Sequence, residues 1–203
     1  MDHPMSGHEI LLVRHGQTEW SADGRHTGRT DIPLTGLGRR QAGALGAMLG
    51  DTRFAAVLSS PLSRARETME LAGHGSESHL LDDLVEWDYG VYEGRRTADI
   101  RLEIPEWSVW THEIHGGESA EQVGDRADRA IARALAADGP VVLFAHGHVL
   151  RILAARWMGL PAAAGRSLRL DTATVSTLGW EREIRVVRHW NEVCHLRSMD
   201  PAP

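Results

Sequence analysis

The chain contains no lysine. All 22 of its basic residues are arginine, so Schiff-base and P-loop lysine chemistry are excluded, and any phosphate contact must come from guanidinium or imidazole. A single cysteine, Cys194, excludes an intramolecular disulfide and a cysteine cluster for zinc, and nothing demands an oxidising compartment. No run approaches the roughly 18 apolar residues of a membrane span, and the opening MDHPMSGHE holds no apolar core of signal-peptide length. A surplus of positive charge is missing as well: 22 basic residues face 28 acidic ones, for a net charge of -6. That balance argues against nucleic acid or an anionic membrane as the main partner, so any anion site must be local. The expected setting is cytoplasmic; these features leave the oligomeric state open, a homodimer included.

What is present is 203 residues at 42% hydrophobic, enough for one domain with a sizeable core. EILLVR (9–14) is a short apolar run ending at a glycine-containing turn, as expected of a strand buried on both faces. From Thr35, apolar positions at Leu37, Ala42, Leu45, Met48 and Leu49 make a helical stripe closed by Gly50. AAVLSS (55–60) reads as a second strand, and Ser60 before Pro61 as a helix N-cap, which puts Arg64 in that helix's first turn. Residues 78–117 are less periodic and rich in Trp and Tyr, which suggests a cover of about 86–117 whose aromatics mainly pack. Ser119 and Gln122 form a capping box before the apolar series Val123, Ala127, Ile131, Ala134 and Leu135. PVVLFAHG (140–147) is another buried strand, followed by a helix that stops at Gly159 and Pro161. The last third alternates like two or three strands.

Strand-then-helix units in this order predict a single-domain α/β fold, a mostly parallel sheet with helices on both faces, where ligands bind beyond the carboxyl ends of the strands. His15 and His146 occupy two such ends, Arg14 adjoins one, and Arg64 opens the helix after the second strand. Two guanidiniums, two imidazoles and a helix N-terminus can thus converge on one anion. His146 and His148 also make a His-x-His pair of the kind that binds metal. Arg14 and Arg64 oppose that reading by repelling a divalent cation, and no Asp or Cys stands at ligand spacing nearby. Arg25, His26 and Arg29 suit either a second phosphate or a solvated loop.

In order and spacing these segments resemble the histidine phosphatase superfamily, which includes cofactor-dependent phosphoglycerate mutases and many phosphatases, along almost the whole chain. LLVRHGQTEW is similar to the family's opening signature, GRHTGRTDIPLTGLGRRQA to its next loop and helix, and SSPLSRARET to its second arginine motif. LVEWDYGVYEG resembles the segment bearing the acidic residue, GGES (116–119) a later signature, FAHGH the second histidine, and WNEVCHL (190–196) the closing segment. The resemblance implies a phosphoglycerate mutase-like domain acting on a small phosphorylated metabolite without metal or cofactor. It makes His15 the phosphorylated nucleophile, Arg14 and Arg64 phosphate clamps, His146 a donor to a phosphate oxygen, and Glu86 the proton donor. Gly16, Ser21, Thr27, Gly28, Tyr89, Gly147 and His148 would surround the phosphate or substrate. Two departures alter the pattern: Ser21 stands where many members have Asn, and Thr27 where many have Gln. Gly147 follows the second histidine where one branch draws its acid from Asp, which leaves Glu86 as the only acid the pattern supplies.

The roles suit the residue types. A histidine must be neutral to attack phosphorus, and neighbouring arginines oppose its protonation while binding the equatorial oxygens. A leaving alkoxide needs a proton, which Glu86 holds more readily beside a phosphate dianion, by like-charge repulsion. EWDYGVYEG and LFAHGHVLR are most similar to phosphatases of the sedoheptulose-bisphosphatase and acid-phosphatase kind. The interval before GGES is shorter than the insertion that shields mutases from water. The expectation is hydrolysis of sugar phosphates or related monoesters, with a phosphoglycerate mutase as the alternative. A protein that binds phosphorylated ligands without turnover would have lost the nucleophile or the acid, and neither is lost.

Overall fold

In the computed structural model, which describes residues 9–199, the first strand β1 (Ile10–Arg14) is central and buried, as its unbroken apolar run requires. The reading of residues 1–8 as free of a signal segment lies outside the described residues. Among the described residues, six strands form one sheet. Beyond β1 they are β2 (Ala56–Ser59), β3 (Ser78–Leu80), β4 (Val141–Ala145), β5 (Val175–Glu181) and β6 (Ile184–Glu192), in the order β3-β2-β4-β1-β5-β6. The β3-β2, β2-β4 and β4-β1 pairs are parallel, while β1-β5 and β5-β6 are antiparallel.

The helices are α1 (Glu19–Asp23), α2 (Gly36–Leu49), α3 (Ser63–Leu71), α4 (Thr97–Arg101), α5 (Ala120–Leu135) and α6 (Gly147–Trp157). They cover both faces because the central strands alternate two sets of apolar side chains. Ile10, Leu12, Leu58 and Leu143 pack with Val123, Ala127 and Ile131 of α5 and Leu150 and Leu153 of α6. Leu11, Val13, Val142 and Phe144 meet Leu45 and Leu49 of α2 and Met69 of α3 on the other face. Each of these side chains larger than alanine, fully buried, contributes about 1.5–3 kcal/mol of transfer free energy.

Three details differ from the sequence reading. Ser60 does not cap α3, which starts at Ser63 after Leu62; the Ser60 hydroxyl instead accepts from the Leu62 N–H and meets His146. Leu37 is exposed, since it follows the cap on the outer side of α2. The short strand β3 lies in the aperiodic region; the last third, expected to hold two or three strands, holds two among the described residues.

Residues 82–118 form a packed wall built on 3-10 turns at Asp82–Leu84 and Gly90–Tyr92 and the short α4, with Trp87, Tyr89, Ile100 and Trp107 buried. Its two ends are joined. Glu118 N–H donates to Asp88 O, Asp88 N–H to Glu118 Oε2, and Trp87 Nε1–H to Glu118 O. Arg126 of α5 clamps this neck, donating from Nε and Nη2 to the Glu118 carboxylate at 2.7 and 2.8 Å and from Nη1 to the carbonyls of Asp83 and Val85.

Candidate active site

Parallel pairing of β1 with β4, register Arg14↔Ala145, carries two residues distant in sequence out of the sheet together. His15 N–H donates to Ala145 O at 3.0 Å, and the rings of His15 and His146 stand 5.2 Å apart. His15 Nδ1 lies 2.7 Å from the Gly16 carbonyl, which can only accept, so Nδ1 carries the hydrogen and Nε2 keeps its lone pair. Burial, then the charges of Arg64 and Arg14, hold this imidazole well below the usual 6.5, and it is neutral at pH 7. Tautomer and charge state are both those of a nucleophile.

Beneath it lies a closed layer. Arg64, wholly buried, donates from Nε to His146 Nδ1 at 3.0 Å and from its terminal nitrogens to the carbonyls of Thr27, Gly28 and Thr30. His146 Nδ1 must therefore accept, so Nε2–H donates to Ser60 Oγ at 2.8 Å. The Thr68 hydroxyl, absent from the sequence reading, donates to Arg64 O and accepts the Gly16 N–H.

Arg14 is different. Its Nη1 donates to Leu170 O at 2.6 Å, but its buried Nε has no acceptor among the described residues. The guanidinium lies against Gly147, where a Cβ would come within 3.3 Å of Nε and Cζ. Glu86, also buried, accepts from Trp87 N–H with Oε1, from Val149 N–H with Oε1 and from His148 N–H with Oε2, at 2.9–3.0 Å. It thereby occupies the N-terminus of α6, as Asp31 occupies that of α3 through Ser63 N–H. Part of each helix N-terminus is thus taken by a carboxylate of the protein itself.

A cavity of about 450 Å³ opens above these groups. His15, Arg14, Glu86, Ser21, Thr27, Tyr89, Gly147 and His148 line it, whereas Arg64, His146, Gly16 and Gly28 lie behind the wall. The Ser21 hydroxyl is spent in the capping box with Thr18, and the Thr27 hydroxyl donates to Arg25 O. The Gly28 N–H donates to the Glu93 carboxylate, and a Cβ on Gly28 would lie 2.5 Å from Trp87 O, so this glycine serves close packing. Arg29, a sequence candidate for a second phosphate, is held by Asp88 and Glu118 away from the cavity.

Burial, with Glu86 and Glu93 nearby, raises the Tyr89 phenol well above 10, so its hydroxyl keeps its proton and donates to His148 Nδ1 at 2.6 Å. His148, lowered by burial and Arg151, is neutral and carries its hydrogen on Nε2. Arg101 and Arg151 line the same cavity and were not singled out in the sequence. Arg151 had a usable signal, lying three and four residues after His148 and Gly147 and hence on the same helical face. Arg101 sits in the aperiodic segment and had none.

The neutral histidines set an acid limit on the fold. Burial pulls His26 down to about 4, and His15, His146 and His148 are lowered in the same direction. Near pH 6.5 the unfolded chain takes up protons that the folded chain refuses. Stability is therefore full above that pH and falls as the pH drops toward about 4 for His26, by up to about 1.4 kcal/mol per pH unit for each histidine. The melting temperature, measured without phosphate, should fall steeply between pH 7 and 5; a flat profile would show that these imidazoles protonate within the fold.

The model for branch 1 of the histidine phosphatase superfamily matches residues 10–193. An acid phosphatase of Mycobacterium tuberculosis is 43% identical over 182 residues, covering 88% of this chain and 89% of that one. Sedoheptulose 1,7-bisphosphatase of Saccharomyces cerevisiae is 36% identical over 185 residues, covering 74% and 67%. The solved structure of a mycobacterial glucosyl-3-phosphoglycerate phosphatase superposes with a TM-score of 0.82 at 31% identity, covering 91% of this chain and 99% of that one. Sequence and fold agree over nearly the full length, and the chain belongs to branch 1 of the histidine phosphatase superfamily as a phosphoric monoester hydrolase.

Proposed function

We propose that the enzyme hydrolyses small sugar phosphates or bisphosphates through a phosphohistidine on Nε2 of His15. One observation carries the reading: a neutral imidazole with a free Nε2 faces the cavity beside Arg14, whose buried Nε–H has no acceptor among the described residues. The substrate names of the yeast and mycobacterial relatives support a sugar-phosphate class.

In the first step Nε2 attacks phosphorus, the N–P bond forms, and the ester P–O bond breaks. Arg14 and the layered charge of Arg64 stabilise the equatorial oxygens. His146 joins by exchanging its Nε2–H from Ser60 Oγ to a phosphate oxygen. Glu86 gives its proton to the departing alkoxide. In the second step the Glu86 carboxylate takes a proton from water, which attacks phosphorus; inorganic phosphate leaves, and the lone pair returns to Nε2.

The alternative is transfer of the phosphoryl group to another hydroxyl of the same molecule. The cavity mouth carries the exposed Arg25 and Arg101, which fits access by water. Supplied with 3-phosphoglycerate and a panel of sugar phosphates, the enzyme should release orthophosphate faster than it forms any positional isomer. Efficient formation of 2-phosphoglycerate without free phosphate would reverse the assignment to that of a mutase.

A further inference from the structure

We infer that Asn191, in the closing segment of the chain, is a positioning residue for the reaction: it grips the loop whose Leu170 carbonyl seats Arg14, and so aims that guanidinium at the phosphoryl group. This rests on the reading of Arg14 as the phosphate clamp beside His15.

Arg14 itself is held by little. The bond from Nη1 to Leu170 O, at 2.6 Å, is the guanidinium's one hydrogen bond among the described residues, and Gly147 supplies a contact surface rather than a partner. Burial lowers the Arg14 pKa, and Asp171, the residue after Leu170, is among the charges that oppose this. With its Nε–H reserved for a ligand, the direction of the guanidinium depends on where the Leu170 carbonyl stands.

That carbonyl lies in an irregular loop, 168–174, which ends where β5 begins. The loop is tied on two sides. Toward the sheet, Ala173 N–H donates to the carbonyls of Arg14 and His15 at 3.1 and 3.0 Å, and Arg14 N–H donates to Thr174 O. On the other side the ties come from residues 190–195. Trp190 Nε1–H donates to Arg169 O at 2.5 Å. Asn191 Oδ1 accepts the Asp171 N–H at 2.7 Å, and its Nδ2–H donates to Asp171 Oδ2 at 2.9 Å. His195 Nε2 lies 2.8 Å from Ala173 O, which can only accept, so Nε2 carries the hydrogen. Residues 169, 171 and 173 are thus gripped by the closing segment, while Leu170 O, between them, meets Arg14. This is the WNEVCHL stretch, of which the phosphoryl chemistry makes no other use.

Asn191 has the most direct hold on Arg14. Leu170 C=O and Asp171 N–H belong to one planar peptide group. Asn191 Oδ1 fixes the N–H edge of that plane and Arg14 Nη1 is bound to its C=O edge, so the two side chains are linked through a single rigid unit. Hydrogen bonds in such a chain polarise and strengthen one another. The second bond, to the Asp171 carboxylate, stops the amide from turning. The backbone of Asn191 is shaped for this task. Between the pairs Val175↔Glu192 and Thr177↔His189, β6 has one residue more than β5, and Asn191 sits in that bulge at φ 58°. Asparagine tolerates the left-handed region better than most residues, and a bulge re-aims a side chain that a regular strand would direct elsewhere.

The test separates aim from fold. Asn191→Gly suits the left-handed backbone and deletes only the grip. Its kcat/KM per folded molecule, with the folded fraction taken from circular dichroism, should fall by roughly 10-fold, and equally for sugar phosphates and nitrophenyl phosphate, because the loss is in phosphoryl alignment and not in leaving-group contact. In an Arg14→Met background, assayed with nitrophenyl phosphate, the same substitution should change the rate by less than about 2-fold, since there is no longer a guanidinium to aim. Asn191→Asp sets a carboxylate against Asp171 Oδ2 and should lose as much. Adding Asp171→Asn reverses the polarity of the pair and should restore activity to within about 3-fold of wild type. Full activity of Asn191→Gly, an equal loss with and without Arg14, or no recovery in the reversed pair would overturn the positioning role and leave the hydrolase reading intact. Undiminished activity of Arg14→Met alone would instead bring down the reading of Arg14 on which that role rests.

Discussion

His15→Ala should reduce turnover by roughly 10⁴-fold or more, because removal of the covalent nucleophile leaves only binding and charge stabilisation. His146 cannot take its place. Its Nδ1 lone pair accepts from Arg64 Nε and its Nε2 carries the hydrogen, so neither nitrogen offers a lone pair to phosphorus. The fold should survive, since His15 spends only one ring hydrogen bond, to its neighbour Gly16, and the β1–β4 ladder is made of backbone. Rapid quenching of the wild type followed by mass spectrometry should find acid-labile phosphate on the His15 peptide, and the variant should show none. Undiminished hydrolysis by His15→Ala, with an unchanged circular dichroism spectrum, would remove the phosphohistidine from the mechanism.

Replacing Glu86 by Gln should produce an effect that depends on the leaving group. An alkyl phosphate departs as a strongly basic alkoxide and needs a proton in the transition state, whereas nitrophenolate needs little help. Single-turnover phosphorylation of His15 by a sugar phosphate should slow by roughly 10²-fold, while the nitrophenol burst should be much less affected. The structure adds a complication. Glu86 Oε2 accepts the His148 N–H, and the amide nitrogen of Gln would present a donor to that donor if it took the place of Oε2. A loss confined to the start of α6 would slow both substrates equally. That equal loss would assign Glu86 to holding the helix rather than to proton transfer. Steady-state rates do not separate the cases, because in the proposed mechanism Glu86 is also the base of the second step.

The buried strands could be read from sequence because runs such as EILLVR and PVVLFA admit few other structures, and they bring His15 and His146 with them. Pairwise polar geometry was much less legible. Ser60 before Pro61 has the local chemistry of a cap, but His146, from the far side of the sheet, claims its hydroxyl. Arg29 looked available for phosphate because its partners Asp88 and Glu118 come from the two ends of the aperiodic segment. Arg151 reads as an ordinary helical arginine until Trp110 is placed beneath it. In each case a side chain's partner is decided by elements remote in sequence, which no local pattern encodes.

The joined neck of the segment 82–118, with Arg126 clamped across Glu118 and the backbone next to Glu86, separates two tasks along one stretch of chain. Glu86 is tied to the helical scaffold, while residues 90–116 run from one end of the joined neck to the other and bury Ile100 and Trp107 against the core. For a loop whose ends are already held together, the entropic cost of added length grows only slowly, about 0.6 kcal/mol per doubling. Such a segment can be lengthened at its exposed stretch, around residues 102–106, without moving Glu86. The enzyme is thus organised as a fixed phosphoryl-transfer centre with a replaceable selector, and grafting the corresponding segment of a relative should alter which alcohols are released while leaving the handling of the phosphoryl group as it is.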